Sequence, residues 1–269
     1  MDNFQKEYYE QTNLCDKNFA KIAAEQERLK EIINIIPSDV NSLLDVGCGN
    51  GFIVNFLKKI DKYKKLVGLD ISSVALKSVK TEKVQGSVEN IPFKDKSFDL
   101  VMCLEVLEHL SEKNFQKGIS ELQRVSKKYI LITVPNKESL ERSLVVCQKC
   151  HCWFNPSLHM RSFDNKIMEK LFQDFTLTES KEIGPISRVD TYPLLLLYPY
   201  YSIRKATPPQ IAICPQCGYQ AKKQKANIST YKKTNNIIKI FYPIKTLFKF
   251  IFWSTYKKRW LLALYKKNE

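Results

Sequence analysis

Two C-x-x-C knuckles, Cys147-Gln148-Lys149-Cys150 and Cys214-Pro215-Gln216-Cys217, are the residues whose spacing speaks most directly of chemistry. Each sets two thiolates on one side of a tight turn, and two such turns complete a tetrahedral four-sulfur zinc site with Zn–S of about 2.3 Å. Pro215 and Gly218 suit the second turn. The long separation between Cys150 and Cys214 makes the site a structural tie between distant segments rather than a compact finger. A redox pair and four unrelated thiols are the weaker readings, the former because no thioredoxin-like context surrounds either knuckle. His151 and Cys152 adjoin the first knuckle and can stand in as ligands.

A second constellation is Leu43-Leu44-Asp45-Val46-Gly47-Cys48-Gly49-Asn50-Gly51, with three glycines on alternate positions. Placed between a strand and a helix, such a turn lets a ligand approach the backbone N–H groups at the helix N-terminus. About twenty residues further on, Asp70 ends a second apolar run, where a carboxylate can accept both hydroxyls of a ribose. The pattern differs from the nicotinamide fingerprint G-x-G-x-x-G, because the third glycine comes one residue early.

These residues require particular elements to hold them. Ile22, Leu29, Ile32, Ile33 and Ile36 recur at helical spacing, and Pro37 closes that lead-in. From residue 43 short apolar runs alternate with helical patterns. Leu43–Gly47, Leu66–Asp70, Val84–Gly86, Phe98–Leu104 and Tyr129–Val134 read as strands, and the stretches from Phe52, Ser72–Lys80 and Ser111–Val125 as helices. That alternation predicts βαβ units and a parallel sheet covered on both faces. Beyond Pro135 the regularity breaks. Residues 163–172 read as a helix capped by Ser162 or Asp164, Phe175–Ile183 as a strand, Pro185–Pro209 as an irregular insertion and Gln210–Cys214 as a last strand.

Five motifs in register resemble the class I S-adenosylmethionine-dependent methyltransferases. They are Leu-Asp-Val-Gly-Cys-Gly-Asn-Gly at 44–51, Val-Gly-Leu-Asp-Ile-Ser at 67–72, Gly-Ser-Val-Glu-Asn-Ile-Pro-Phe at 86–93, Ser-Phe-Asp-Leu-Val at 97–101 and Glu-Val-Leu-Glu-His-Leu at 105–110. The resemblance covers residues 40–135 and, more loosely, runs to 183. It implies a Rossmann-like α/β fold with a seven-stranded sheet and S-adenosylmethionine as cofactor. Asp45, Gly47, Gly49 and Gly51 would cradle the amino acid end, Asp70 with Ile71 the ribose, and Ser87 with Val88 the adenine. An acid is frequent in the family where this chain has Ser87. Leu104 and Glu105 would line the methyl-donor pocket. A methyl sulfonium is already electrophilic, so a base is needed only for a poorly acidic hydroxyl or a protonated amine. Glu105, Glu108, His109 and His159 are the candidates. Capping or surface roles compete for Glu108 and His109, while His159 matches a histidine that faces the acceptor in many of these enzymes.

The chain of 269 residues carries 43 Lys+Arg against 28 Asp+Glu, and the imbalance is local. Residues 221–269 hold 13 of the bases and one acid, Glu269, so the remainder is near neutral. This excludes a uniformly basic nucleic-acid binder. Ile240, Ile244, Leu247, Phe248 and Ile251 share one helical face with lysines away from it, which predicts a basic amphipathic C-terminal helix. Residues 236–265 then offer a face for an anionic lipid surface, for the chain's own body or for RNA. No apolar run reads as a signal or a membrane span, which predicts a cytoplasmic protein, peripheral at the inner membrane face.

The expected organisation is therefore a helical lead-in (1–40), a methyltransferase domain (41–220) with a zinc-binding insertion (147–217), and a basic tail (221–269). The expected activity is methyl transfer to a small-molecule, sugar or lipid-linked acceptor. An RNA methyltransferase or a cofactor-binding protein without turnover are the alternatives.

Overall fold

The computed structural model describes residues 10, 22–190, 212–220 and 254–269. The chain divides into two compact units, Met1–Glu138 with Arg161–Pro185 and Lys258–Glu269, and Ser139–Met160 with Ile186–Lys257.

The first unit is built on a seven-stranded sheet in the order β3-β2-β1-β4-β5-β9-β8. Its strands are β1 (Ser42–Val46), β2 (Lys65–Asp70), β3 (Glu82–Gln85), β4 (Phe98–Leu104), β5 (Ser126–Pro135), β8 (Phe175–Asp190) and β9 (Ser254–Lys267). β1 to β5 pair in parallel, and β9 runs antiparallel to β5, from Tyr129 opposite Lys266 to Pro135 opposite Trp260. Consecutive residues point to opposite faces, and both faces are apolar, as burial on two sides requires. Leu44, Val101, Ile130, Ile132, Leu261 and Ala263 join one core with α4 (Glu112–Val125) and α6 (Asn165–Glu169). Leu43, Leu100, Met102, Leu131, Leu262 and Leu264 join the other with α1 (Ala23–Ile35) and α2 (Phe52–Ile60).

Local signals place the helices. Ser111 caps α4 by accepting from the Asn114 N–H, and Asp164 caps α6 by accepting from the Ile167 N–H. The segment expected as a helix over Ser72–Lys80 is helical only as α3 (Ser73–Leu76), again with a serine cap, Ser72. Lys83 Nζ then donates to the Leu76 and Val79 carbonyls and satisfies that short end.

The C-terminal extension departs from expectation. Residues 254–267 form a strand rather than a basic helix, and the strand lies between β5 and β8. Trp260 to Tyr265 are all buried, Tyr265 Oη donates to the Met168 carbonyl at 2.7 Å, and Phe172 meets the Tyr265 ring edge-on at 4.8 Å. A continuous apolar run is what a strand covered on both faces needs. Gly184, at φ +83°, lets the chain pass Trp260, since a Cβ there would come within 2.4 Å of the indole. The sheet thus recruits residues from beyond 253. Of the expected strand Gln210–Cys214 only residues 212–214 are described, and among them Ile213 forms an isolated bridge to Gln220. The rest of the predicted amphipathic stretch, 236–253, lies outside the described residues, as does Cys15.

The second unit contains α5 (Leu140–Ser143) and a two-stranded ribbon of β6 (Val145–Val146) and β7 (Trp153–Phe154). Val145, Cys147, Phe154, Ala212 and Cys214 form its small core.

Candidate cofactor site and cysteine cluster

Parallel strands end together, so their C-terminal crest collects the turns that follow β1, β2, β3 and β4. A cavity of about 300 Å³ lies there. It is lined by nine of the ten residues that the sequence assigns to the cofactor: Asp45, Gly47, Gly49, Asp70, Ile71, Ser87, Val88, Leu104 and Glu105. Gly51 stands one turn further on as the N-cap of α2.

The glycine turn is fastened to β2. Gly47 and Cys48 N–H groups donate to the Leu69 carbonyl at 2.7 and 3.0 Å, and the Gly49 N–H donates to Asp70 Oδ2 at 2.8 Å. Gly47 sits at φ +76°, and a Cβ there would lie 2.3 Å from Val106 Cγ2, so neither conformation nor space admits a side chain. Gly49, at φ +54°, has no heavy atom within 4 Å of where its Cβ would be; that side of the turn is open. The other Asp70 oxygen accepts from the Ser72 N–H at 2.8 Å. Burial pushes Asp70 upward while those backbone donors pull it back.

Asp45 is buried and lifted to about 7 by desolvation, with the Asp70 charge adding and Arg28 opposing. Arg28 of α1 lines the same cavity, pairs with Glu25 Oε2 at 2.8 Å and is only 6% exposed. Sequence reasoning missed Arg28, because a charged residue in a helix ordinarily faces solvent. Its signal was position: Arg28 precedes Leu29 on the face that buries Ile32 and Ile35.

At the β4 end, Glu105 takes a left-handed backbone (φ 58°) and its N–H donates to the Thr133 carbonyl. Leu107–His109 form a 3₁₀ turn that brings His109 to the cavity wall. Glu108 is fully buried, and desolvation, then the Glu105 charge, push it well above the usual carboxylate range. His109 Nε2 lies 3.9 Å from Glu108 Oε1. Glu105, Glu108 and His109 are therefore neighbours. His159 falls in the second unit and is half-buried.

In the second unit the two knuckles meet. The Sγ atoms of Cys147, Cys150, Cys214 and Cys217 all lie within 4.8 Å of one another, with Cys147–Cys217 and Cys150–Cys214 each at 3.6 Å. A tetrahedron with Zn–S of about 2.3 Å has edges of about 3.8 Å, so the four sulfurs fit such an ion. Against desolvation, the Cys150 and Lys149 N–H groups bring Cys147 down to about 6. Cys217 rises to about 12 although the Tyr219 N–H opposes this, since burial and the Cys150 and Cys147 sulfurs outweigh it. Four thiolates this close repel one another unless a cation sits among them. Cys152 adds a fifth sulfur, 3.5 Å from Cys214.

Comparison with known proteins agrees with this geometry. Residues 44–131 match a family model described as a methyltransferase domain. The whole chain aligns with the whole of an S-adenosylmethionine-dependent methyltransferase from Thermotoga maritima, with TM-score 0.53 and 14% identity. The fold is that of the S-adenosylmethionine-dependent methyltransferases. Among curated relatives, an uncharacterised protein of Methanocaldococcus jannaschii is 38% identical over 102 residues, 36% of this chain and 42% of that one. A ubiquinone biosynthesis O-methyltransferase of Albidiferax ferrireducens is 27% identical over 96 residues, 32% of this chain and 37% of its own. A tRNA (carboxymethyluridine(34)-5-O)-methyltransferase of Arabidopsis thaliana is 32% identical over 128 residues, 45% and 30% of the two chains. The chain thus spans less than half the length of each of these three relatives. Among the described residues no helix is long and apolar enough to cross a membrane.

Proposed function

We propose that this chain transfers the methyl group of S-adenosylmethionine to a small-molecule, sugar or lipid-linked acceptor. One observation carries the reading: a single cavity on the sheet crest joins the glycine turn, Asp70, Asp45 and Arg28. Bound there, the cofactor would supply an electrophilic methyl carbon on a sulfonium. The chain's own task is to hold and orient. Arg28 suits an α-carboxylate and Asp45 an α-ammonium, opposite charges for the two ends of one amino acid. Each Asp70 oxygen already accepts one main-chain N–H, which fixes its plane and leaves lone pairs for two hydroxyls. Glu105 and His109 stand at the methyl-donor end, and with His159 they are the groups we assign to the acceptor side.

Calorimetry with S-adenosylhomocysteine tests this directly. Asp70→Ala and Gly49→Val should abolish binding, and affinity surviving both would remove the site. Radiolabelled methyl transfer to lipid, sugar and RNA fractions then identifies the acceptor. The similarity to a tRNA methyltransferase favours RNA as a second reading, and label entering ribonuclease-sensitive material would select it. With 254–265 folded into the sheet, the lipid-surface expectation retains only 236–253, so the acceptor is proposed without a membrane site. For the second unit we propose a structural zinc ion held by Cys147, Cys150, Cys214 and Cys217, tying the segment after β5 to the segment before β9.

A further inference from the structure

Five cysteine sulfurs gather where a tetrahedral ion needs four. Cys147, Cys150, Cys214 and Cys217 form the group whose sulfurs all lie within 4.8 Å of one another. Cys152 stands beside that group, its Sγ 3.5 Å from Cys214 Sγ, as close as the two contacts between knuckles at 3.6 Å. A zinc ion that takes the four knuckle sulfurs has no place for a fifth. Cys152 is then left as a thiol touching a metal ligand.

Local structure holds both sulfurs in place. The Cys147 N–H donates to the Cys152 carbonyl at 2.9 Å and the His151 N–H to the Cys147 carbonyl at 3.0 Å, which closes residues 147–152 into one turn. His151 takes a left-handed backbone (φ 59°) and so reverses the chain between Cys150 and Cys152. Immediately beyond, Trp153 and Phe154 pair with Val146 and Val145. In the second knuckle the Gly218 N–H donates to the Cys214 carbonyl, and the Cys214 N–H to the Tyr219 carbonyl, each at 2.9 Å. The two cysteines differ in access: Cys214 is fully buried, whereas Cys152 is half-buried and reachable by a small solute.

We propose that Cys152 is an oxidation site: a peroxide converts it to a sulfenic acid, and Cys214 closes a disulfide on it and leaves the metal. This rests on the four-sulfur zinc site proposed above. In the first step the Cys152 sulfur, its proton lost to solvent, attacks one peroxide oxygen. The S–O bond forms, the O–O bond breaks, and the departing hydroxide takes up a proton as water. The four ligand sulfurs share their electron pairs with the metal, so the partly exposed fifth reacts first. In the second step the Cys214 thiolate, already deprotonated by the ion, attacks the Cys152 sulfur. The S–S bond forms, the S–O bond breaks, and hydroxide again leaves as water. The two sulfurs give up two electrons, and the peroxide is reduced to two waters. A disulfide needs about 2.05 Å between sulfurs, a gap that rotation of the two side chains closes. Three sulfurs hold the ion more weakly than four, and it is lost. The new bond joins residues 62 apart, so the knuckles stay together and reduction returns a site ready to reload.

Zinc-loaded full-length protein is treated with hydrogen peroxide while a chromogenic chelator reads the free metal. Wild type should release about one ion per chain. Peptide mass spectrometry with fragmentation should place a Cys152–Cys214 bridge, about 2 Da lighter than the two thiols. Dithiothreitol with added zinc should restore the metal. Cys152→Ser, which leaves all four ligands in place, should keep its zinc at a peroxide dose that empties wild type. Equal melting temperatures before oxidation verify that the variant is intact. A Cys150–Cys214 or Cys147–Cys217 bridge in wild type, or equal zinc loss from Cys152→Ser, overturns the assignment while leaving the zinc site standing. A Cys152→Ser protein that takes up no zinc also overturns it, since Cys152 is then a ligand. Wild type that takes up no zinc overturns the metal site and the assignment with it.

Discussion

Ending the chain after residue 253 should abolish folding of the sheet-bearing unit, although a basic tail would be dispensable. The truncation removes β9, and with it Trp260, Leu261, Leu262, Leu264 and Tyr265, each no more than 6% exposed. Burying a side chain of this kind stabilises by about 1.5–3 kcal/mol, so five contribute about 8–15 kcal/mol. Allowing that an unfolded chain already hides a third of that surface still leaves about 5–10 kcal/mol. Whole domains are stable by only about 5–15 kcal/mol. The loss also strips β5 of its partner along Tyr129–Pro135 and takes away the carbonyls of Lys258 and Arg259 to which Asn136 donates. The single change Leu262→Ala, which hollows the same strand, should cost about 2–5 kcal/mol. Circular dichroism, thermal melts and S-adenosylhomocysteine titration read the outcome. A 1–253 fragment that melts cooperatively and binds as the full chain does would refute the placement of β9.

Two further outcomes follow from the buried groups. Asp45 ionises near 3.8 when unfolded and at about 7 when folded, so the ligand-free protein should lose stability as pH rises from about 4 to about 7; Asp45→Asn should flatten that slope. An ammonium beside Asp45 favours its charged form, so S-adenosylhomocysteine should bind more tightly at pH 8 than at pH 6, with proton uptake by buffer detectable in calorimetry; pH-independent affinity would contradict this. At the cysteine cluster, Cys214→Ser should empty the protein of zinc by elemental analysis, while Cys152→Ser should retain it. Zinc lost on Cys152→Ser would make that residue a ligand.

The first five strands were legible because each signal agreed with its neighbours. Glycines on alternate positions, Asp70 after a short apolar run and serine caps before helices all demanded the same parallel arrangement. Cys147, Cys150, Cys214 and Cys217 were legible from knuckle spacing alone, although the chain between them reads as irregular. Trp260–Tyr265 misled because six consecutive apolar residues have no period, and the upstream Ile240, Ile244 and Leu247 lent them a helical one. Tertiary pairing with β5 decided the matter, and no local pattern encodes a partner more than 120 residues away. Arg28 escaped for a related reason. Charged side chains read as solvent-facing until a cavity is seen beside them.

The position of β9 also sets a timetable for biosynthesis. While the polypeptide emerges from the ribosome, β5 and β8 are available long before the segment that must slide between them. Until residues beyond 253 have been made, the nascent sheet carries two unpaired edges, which invite pairing with other chains. The closing contact must bridge a very long loop, so its formation is slow compared with that of β1 to β5. Chaperone dependence and aggregation of prematurely terminated chains should be concentrated in that interval.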